Sequence, residues 1–218
     1  MNAPDGPAKL PAAIRNVSIL CMGFSAAVGF FSISELLSLV NVGEAPRSAV
    51  RLPGPFGTEP FQRALEAQLS ALESMRVARA LILASLGVAS ALNLVAASRL
   101  IAPRGWRRVN QTAPALPRAA MRRLVVSSSI AVAVLRTLDG AQIAVVARRV
   151  GEAMGRSAAA LPGFASANPS AVEAKLRSWA IAVAVMQTAA VVASYAFFSQ
   201  YFRRSKVRNA LAALDQPR

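Results

Sequence analysis

The chain reads as an all-α integral membrane protein. The expected architecture is four transmembrane helices, built as two tandem parallel helix-hairpin repeats in one bundle, with helices extending beyond the outer membrane face. Three observations predict it. Apolar residues make up 55% of the 218 positions and charged residues 16%, against about 25% charged in an ordinary soluble domain. The apolar residues gather into four stretches, each near the ~20 residues that a helix needs to cross a bilayer core. One short motif between the stretches occurs twice.

The first stretch, residues 17–40, holds a single charge, Glu35. It is longer than a signal-peptide core of about 7–15 residues and no A-x-A site follows it, so a retained anchor is expected. Cys21 within it follows Leu20, where a lipoprotein site needs a small residue, and is read as a small packed or lipid-facing residue. The second span, about 77–101, is uncharged between Arg79 and Arg99. The third, about 124–147, contains Arg136 and Asp139, each costing roughly 2.5–3.5 kcal/mol at a helix centre. The fourth, about 178–202, is uncharged and ends against Arg203-Arg204.

Basic residues set the orientation. With the N-terminus in the cytoplasm, the inner segments carry 14 basic and two acidic residues, and the outer segments nine basic and six acidic. Both termini are therefore expected on the cytoplasmic side. Lys occurs only at 9, 175 and 206, and with the abundant Ala this usage points to a GC-rich bacterial genome. The expected location is a bacterial inner membrane.

The repeat has a period of about 108 residues. Val42-Gly43-Glu44-Ala45 recurs as Val150-Gly151-Glu152-Ala153, and Arg47-Ser48-Ala49 with Leu52-Pro53-Gly54 recurs as Arg156-Ser157-Ala158 with Leu161-Pro162-Gly163. Arg15 falls on Arg123 upstream, and Glu66 falls on Glu173 downstream. Span 1 thus maps on span 3, which makes the charged third span credible. Each copy holds two spans, so both enter the membrane from one side. The expected organisation is a cytoplasmic tail 1–13, a first hairpin repeat 14–110, a linker 111–121, a second repeat 122–209 and a tail 210–218.

Helix starts are legible at Thr58-Glu59-Pro60 and Asn168-Pro169-Ser170, each a capping residue with an early proline. Ser170 and Glu173 also fit a capping box. A helix from 59 to 101 would carry Phe61, Leu65, Leu69, Leu72 and Met75 as an amphipathic stripe seeking a partner helix. Gly43 and Gly151 stand where C-capping glycines would.

Three groups of residues are candidates for function. An intramembrane polar cluster comprises Glu35, Arg79, Arg136, Asp139, Gln142 and Gln187. Ionisable groups at membrane depth mark either a pathway or an obligatory pair. The simplest structural arrangement pairs Arg136 with Asp139 and Glu35 with Arg79. The second group is the duplicated outer-loop motif, Glu44, Arg47, Glu152 and Arg156, whose spacing lets neighbours pair within a helical turn. The third is Arg104, Trp106, Arg107, Arg108, Arg203 and Arg204, expected to meet lipid headgroups. Small-xxx-small pairs at Ser25 and Gly29, Ala80 and Ala84, and Ala189 and Ala193 are expected to allow close helix approach.

Absences narrow the chemistry. There is no histidine and one cysteine, so zinc sites of His/Cys type, Ser-His-Asp catalysis and an internal disulfide lack their parts. No catalytic residue, metal or cofactor is expected. The partners expected are a bilayer with anionic headgroups and a protein partner or second copy, with no nucleic acid, because no stacking platform accompanies the net charge of +15. The expected role is a non-enzymatic multi-pass membrane protein serving as a subunit or scaffold of a membrane assembly. Its rival is a small transporter or channel component using Arg136 and Asp139. A membrane enzyme working with carboxylates alone is the least favoured class.

Overall fold

The computed structural model describes residues 10–42, 59–101, 117–159 and 168–215. These residues form six helices and no strand: α1 Ala12–Val42, α2 Glu59–Ser74, α3 Arg76–Ile101, α4 Arg118–Ala159, α5 Pro169–Arg203 and α6 Ser205–Asp215. Four helices, α1, α3, α4 and α5, are long and apolar enough to cross a membrane.

Burial supports that reading independently of length. Ser18, Ser25, Ser90, Asn93 and Ser129 are buried, while Phe30, Phe31 and Met186 are each about two-thirds exposed. In water such an inversion would forfeit about 25 cal/mol for every Å² of apolar surface left outside. Among lipid chains the exposed apolar groups cost nothing, and Ser25, Asn93 and Ser129 hydrogen-bond across helices inside, although the Ser18 and Ser90 hydroxyls make no hydrogen bond.

Two compact units divide the chain, and each long helix contributes a segment to both. The first comprises Met1–Phe31, Leu86–Val134 and Val192–Arg218. Its α1 segment buries Ile14, Ser18, Cys21, Ser25 and Gly29, in steps of three or four that keep one stripe on one side of the helix. A Cβ on Gly29 would stand 3.4 Å from the Ser90 Cβ, so α1 and α3 are in ordinary contact there. Aromatic edges close the α5 side, with Phe24 and Phe198 centroids 5.7 Å apart and Tyr195 and Phe198 5.8 Å apart.

Helix α6 was not foreseen. Residues 210–218 were expected to be a tail, yet α6 buries Val207, Leu211 and Leu214 along one face. Side chains fix both ends of the join. The Arg122 Nη1 donates to the Phe202 carbonyl at 2.9 Å, satisfying an orphan acceptor at the end of α5. The Asp215 carboxylate accepts the Ala119 N–H at 3.2 Å, capping the start of α4.

The second unit comprises Ser32–Ser85 and Leu135–Val191. The helix expected to run unbroken from 59 to 101 is interrupted at Met75 between α2 and α3. The Ser74 hydroxyl donates back to the Ala71 carbonyl at 2.8 Å, the kind of competing bond that bends helices. The expected stripe is exposed at Phe61 and half-buried at Leu65, Leu69, Leu72 and Met75, and the buried positions of α2 are Ala64 and Ala71. Asn168 caps α5 as expected, its Oδ1 accepting the Ser170 N–H at 3.1 Å. The Glu173 carboxylate meets Arg156 at 3.8 Å, a cross-helix contact unlike the capping box expected of it.

Gly151 corrects another expectation. It is not a C-cap, because α4 continues to Ala159. A Cβ there would lie 2.7 Å from the Arg177 Cα, and one on Gly155 would overlap Glu173. Gly151-x-x-x-Gly155 is thus a smooth strip on which α5 lies directly against α4. Gly140 gives the same close approach to Thr188. Ala189 and Ala193, expected to pack, are exposed instead.

Candidate functional site

The second unit gathers four of the sequence-selected charges. Each comes from a position where helix geometry leaves it facing inward: Glu35 on α1, Arg79 one turn into α3, and Arg136 and Asp139 three apart on one face of α4. Arg79 is 2% exposed and the Asp139 side chain fully buried. The Arg79 guanidinium binds Glu35 through both Nε, at 3.0 Å, and Nη2. Its Nη1 lies 3.2 Å from the Asp139 Oδ1. The other Asp139 oxygen accepts from Arg136.

The result is a chain, Glu35–Arg79–Asp139–Arg136, of alternating sign and zero net charge. Both expected pairs form, but they are joined through Arg79, and the Arg136–Asp139 pair is not self-contained. Three helices are tied together by this chain. Arg76 adds a further tie, donating to the Val40 carbonyl at 3.2 Å near the end of α1. Buried ions joined this way cost little only as a set.

Some hydrogen-bonding capacity in the cluster is left over. The Arg79 Nη1, Arg136 Nε and Asp139 Oδ1 are buried and make no hydrogen bond, nor does the buried Gln142 Oε1. The Arg79–Asp139 approach is therefore ionic rather than a directed hydrogen bond. Gln187 does not join the cluster; it is exposed on α5.

The first unit contains a neutral polar network that the sequence reading missed. Asn93 is buried on α3, accepts from the Cys21 Sγ at 3.6 Å and donates to the Ser129 hydroxyl at 3.1 Å. Tyr195, also buried, donates to Ser25 at 3.3 Å. The signal was available: Asn93 is the one amide in an otherwise apolar span, and a lone amide there seeks a partner on another helix. The buried Cys21 is packed, as expected. Ser127 and Ser128 donate back to the Leu124 carbonyl at 3.2 Å and 2.6 Å.

The duplicated motif is described only in its second copy, as Glu44 and Arg47 lie outside the described residues. Glu152 does not take Arg156. It accepts from Arg148 one turn earlier at 2.9 Å and meets Arg177 of α5 at 3.6 Å. Arg104, Trp106, Arg107 and Arg108 also lie outside the described residues. Arg203 and Arg204 are exposed, the latter 6.0 Å from the Tyr201 ring centroid.

No set of three or more His, Cys, Asp or Glu side chains among the described residues could hold a metal ion. Comparison with known protein families, curated proteins and solved structures finds no match for this chain.

Proposed function

We propose that the protein is a non-enzymatic multi-pass membrane subunit or scaffold, held together by the Glu35–Arg79–Asp139–Arg136 chain. The observation that carries this reading is Arg79, 2% exposed and engaged by carboxylates of two other helices. A cation so placed holds helices in register. Each charge in the chain is met by its neighbour, so the cluster's ionic capacity is directed inward.

In this reading both termini are cytoplasmic, the membrane is the bacterial inner membrane, and the chain is a fused pair of like-oriented hairpins whose helices project beyond the outer face. One geometric fact supports the duplication. Cys21 and Ser129 are equivalent under a shift of 108 residues, and they take opposite ends of the same Asn93 amide. The aromatic residues of α5 fit a spanning helix. Trp179 and Tyr201 are 22 residues apart, about 33 Å of helix, close to a hydrocarbon core with an aromatic at each interface.

The test is the mass of the assembly in native nanodiscs. A complex with a stoichiometric protein partner, or a multiple of 22.8 kDa, is the expected result. A population that is monomeric and unaccompanied in its own membrane would overturn the proposal. The rival transport reading draws on the buried Gln142 Oε1, which makes no hydrogen bond, and on the Arg79 Nη1 and Asp139 Oδ1, which are paired only ionically with each other. It requires Arg136→Ala to abolish flux in liposomes while the fold survives. Loss of the fold alone assigns the charges to structure.

A further inference from the structure

We propose that the cleft between α2 and α4 in the second unit is an oxyanion site that takes a phosphate group. The cleft has a volume of about 340 Å³. Arg63 and Ser70 of α2 face Arg149, Glu152 and Arg156 of α4 across it. Ala67 and Ala153 supply the remaining lining and keep the space open.

Charge decides the ligand class. Three guanidinium groups line the cleft against one carboxylate. That carboxylate, Glu152, is already engaged by Arg148 at 2.9 Å and Arg177 at 3.6 Å, neither of which lines the cleft. Arg156 touches Glu173 only at 3.8 Å, beyond hydrogen-bonding range. Arg149 holds Ser74 through a long 3.4 Å contact, a weak tie that a stronger acceptor displaces. Guanidinium forks match phosphate oxygens in pairs, and Ser70 can donate a further hydrogen bond.

Size and position narrow it further. The volume exceeds what a bare phosphate fills and lies in the range of small-ligand clefts. α4 is uncharged from 140 to 147 and turns basic at Arg148, so the cleft opens past its apolar stretch. That is the depth of the polar layer that makes up the difference between a 30 Å core and a 40–45 Å bilayer. A lipid headgroup and a soluble phosphate ester present the same chemistry, and the assay separates them.

The full chain is purified in a neutral detergent and examined by native mass spectrometry with phosphatidylglycerol or phosphatidylcholine. Its melting is followed in parallel against inorganic phosphate and glycerol phosphate. Wild type is expected to retain phosphatidylglycerol over phosphatidylcholine, or to be stabilised saturably by the soluble phosphates. The first result assigns the headgroup and the second the free ester. Arg63→Gln/Arg156→Gln should weaken that binding at least tenfold, and Arg156→Lys should recover part of it. Lys206→Gln/Arg208→Gln, equal in charge removed, exposed on α6 and outside the cleft, should leave it unchanged. Equal loss in the two double variants, or no saturable preference for either phosphate source, overturns the proposal. Arg156 is mostly exposed, and an unshifted elution volume and melting temperature without ligand confirm that the variants fold.

Discussion

Replacing Arg79 with Met would test the ionic chain most directly. Arg79 is 2% exposed and Asp139 has no exposed side-chain surface, so the substitution strips a buried carboxylate of one of its two cations. Breaking a buried ion pair by deleting one partner costs about 3–5 kcal/mol. Glu35 is 38% exposed, so its share is screened and most of the loss falls on Asp139. Charge balance makes a sharper statement than magnitude. Arg79→Met alone leaves two carboxylates facing one guanidinium, a net charge of −1. Adding Glu35→Gln restores neutrality and leaves the Arg136–Asp139 pair intact. The double variant should therefore be more stable than the single, a coupling of about 1–2 kcal/mol in a double-mutant cycle. Reversible unfolding in bicelles, read by steric trapping or by titration with a denaturing detergent, measures it. A single-variant loss below about 1 kcal/mol, or strictly additive losses, would refute the chain as the tie between α1, α3 and α4.

The remaining predictions address other parts of the fold. Gly155→Leu should lower stability by about 1–3 kcal/mol through overpacking against α5, whereas the same change at Gly23, with nothing within 4 Å of its Cβ position, should be near neutral; thermal unfolding in detergent distinguishes them. Asn93→Ala should cost about 1–2 kcal/mol, combining two lost bonds with a small cavity, and a loss indistinguishable from zero would remove the network from the list of stabilising contacts. Cys21 should resist a membrane-permeant maleimide in the folded protein and react on unfolding, a difference of more than tenfold in labelling rate read by mass spectrometry. Cysteines placed at 45 and 153 in a Cys21→Ala background should be labelled from the same side of the membrane; labelling from opposite sides would dismiss the tandem-hairpin reading.

What could be read from the chain beforehand follows a physical division. Spans are legible because bilayer thickness imposes a length and lipid imposes a composition. Arg136 with Asp139, and Glu35 with Arg79, were legible because few charges occur in the spans and each must find an opposite. Their union through Arg79 was not, since sequence spacing carries no information on which faces of α1 and α3 meet. The same ignorance hid Asn93. Gly151 was misassigned because a glycine after an apolar run serves equally as a stop or as a smooth contact surface. Only the approach of α5 decides between them. The break at Met75 had no proline or glycine to announce it. α6 was overlooked because eleven residues of ordinary amphipathic pattern are marginal as a helix until packing stabilises them.

The two units solve the same problem by different chemistry. In hydrocarbon, helices gain nothing by hiding apolar surface from one another, so association rests on close packing and on polar groups that must be satisfied. The first unit uses neutral groups, a serine and cysteine stripe around one asparagine, where each bond contributes little and loss of any one is tolerable. The second uses ions, where loss of one member leaves an uncompensated charge and the penalty is several-fold larger. Ionic ties also discriminate. A slip of α4 by one residue would rotate Asp139 by about 100° away from Arg79, and no second carboxylate stands on α4 between 119 and 151 to replace it. Register of α4 against α3 in the second unit thus depends on the Arg79–Asp139 pairing, whereas in the first the specific contacts are neutral hydrogen bonds through Asn93 and Tyr195. Substitutions that preserve volume should be accepted around Asn93 far more readily than any change of charge at Arg79 or Asp139.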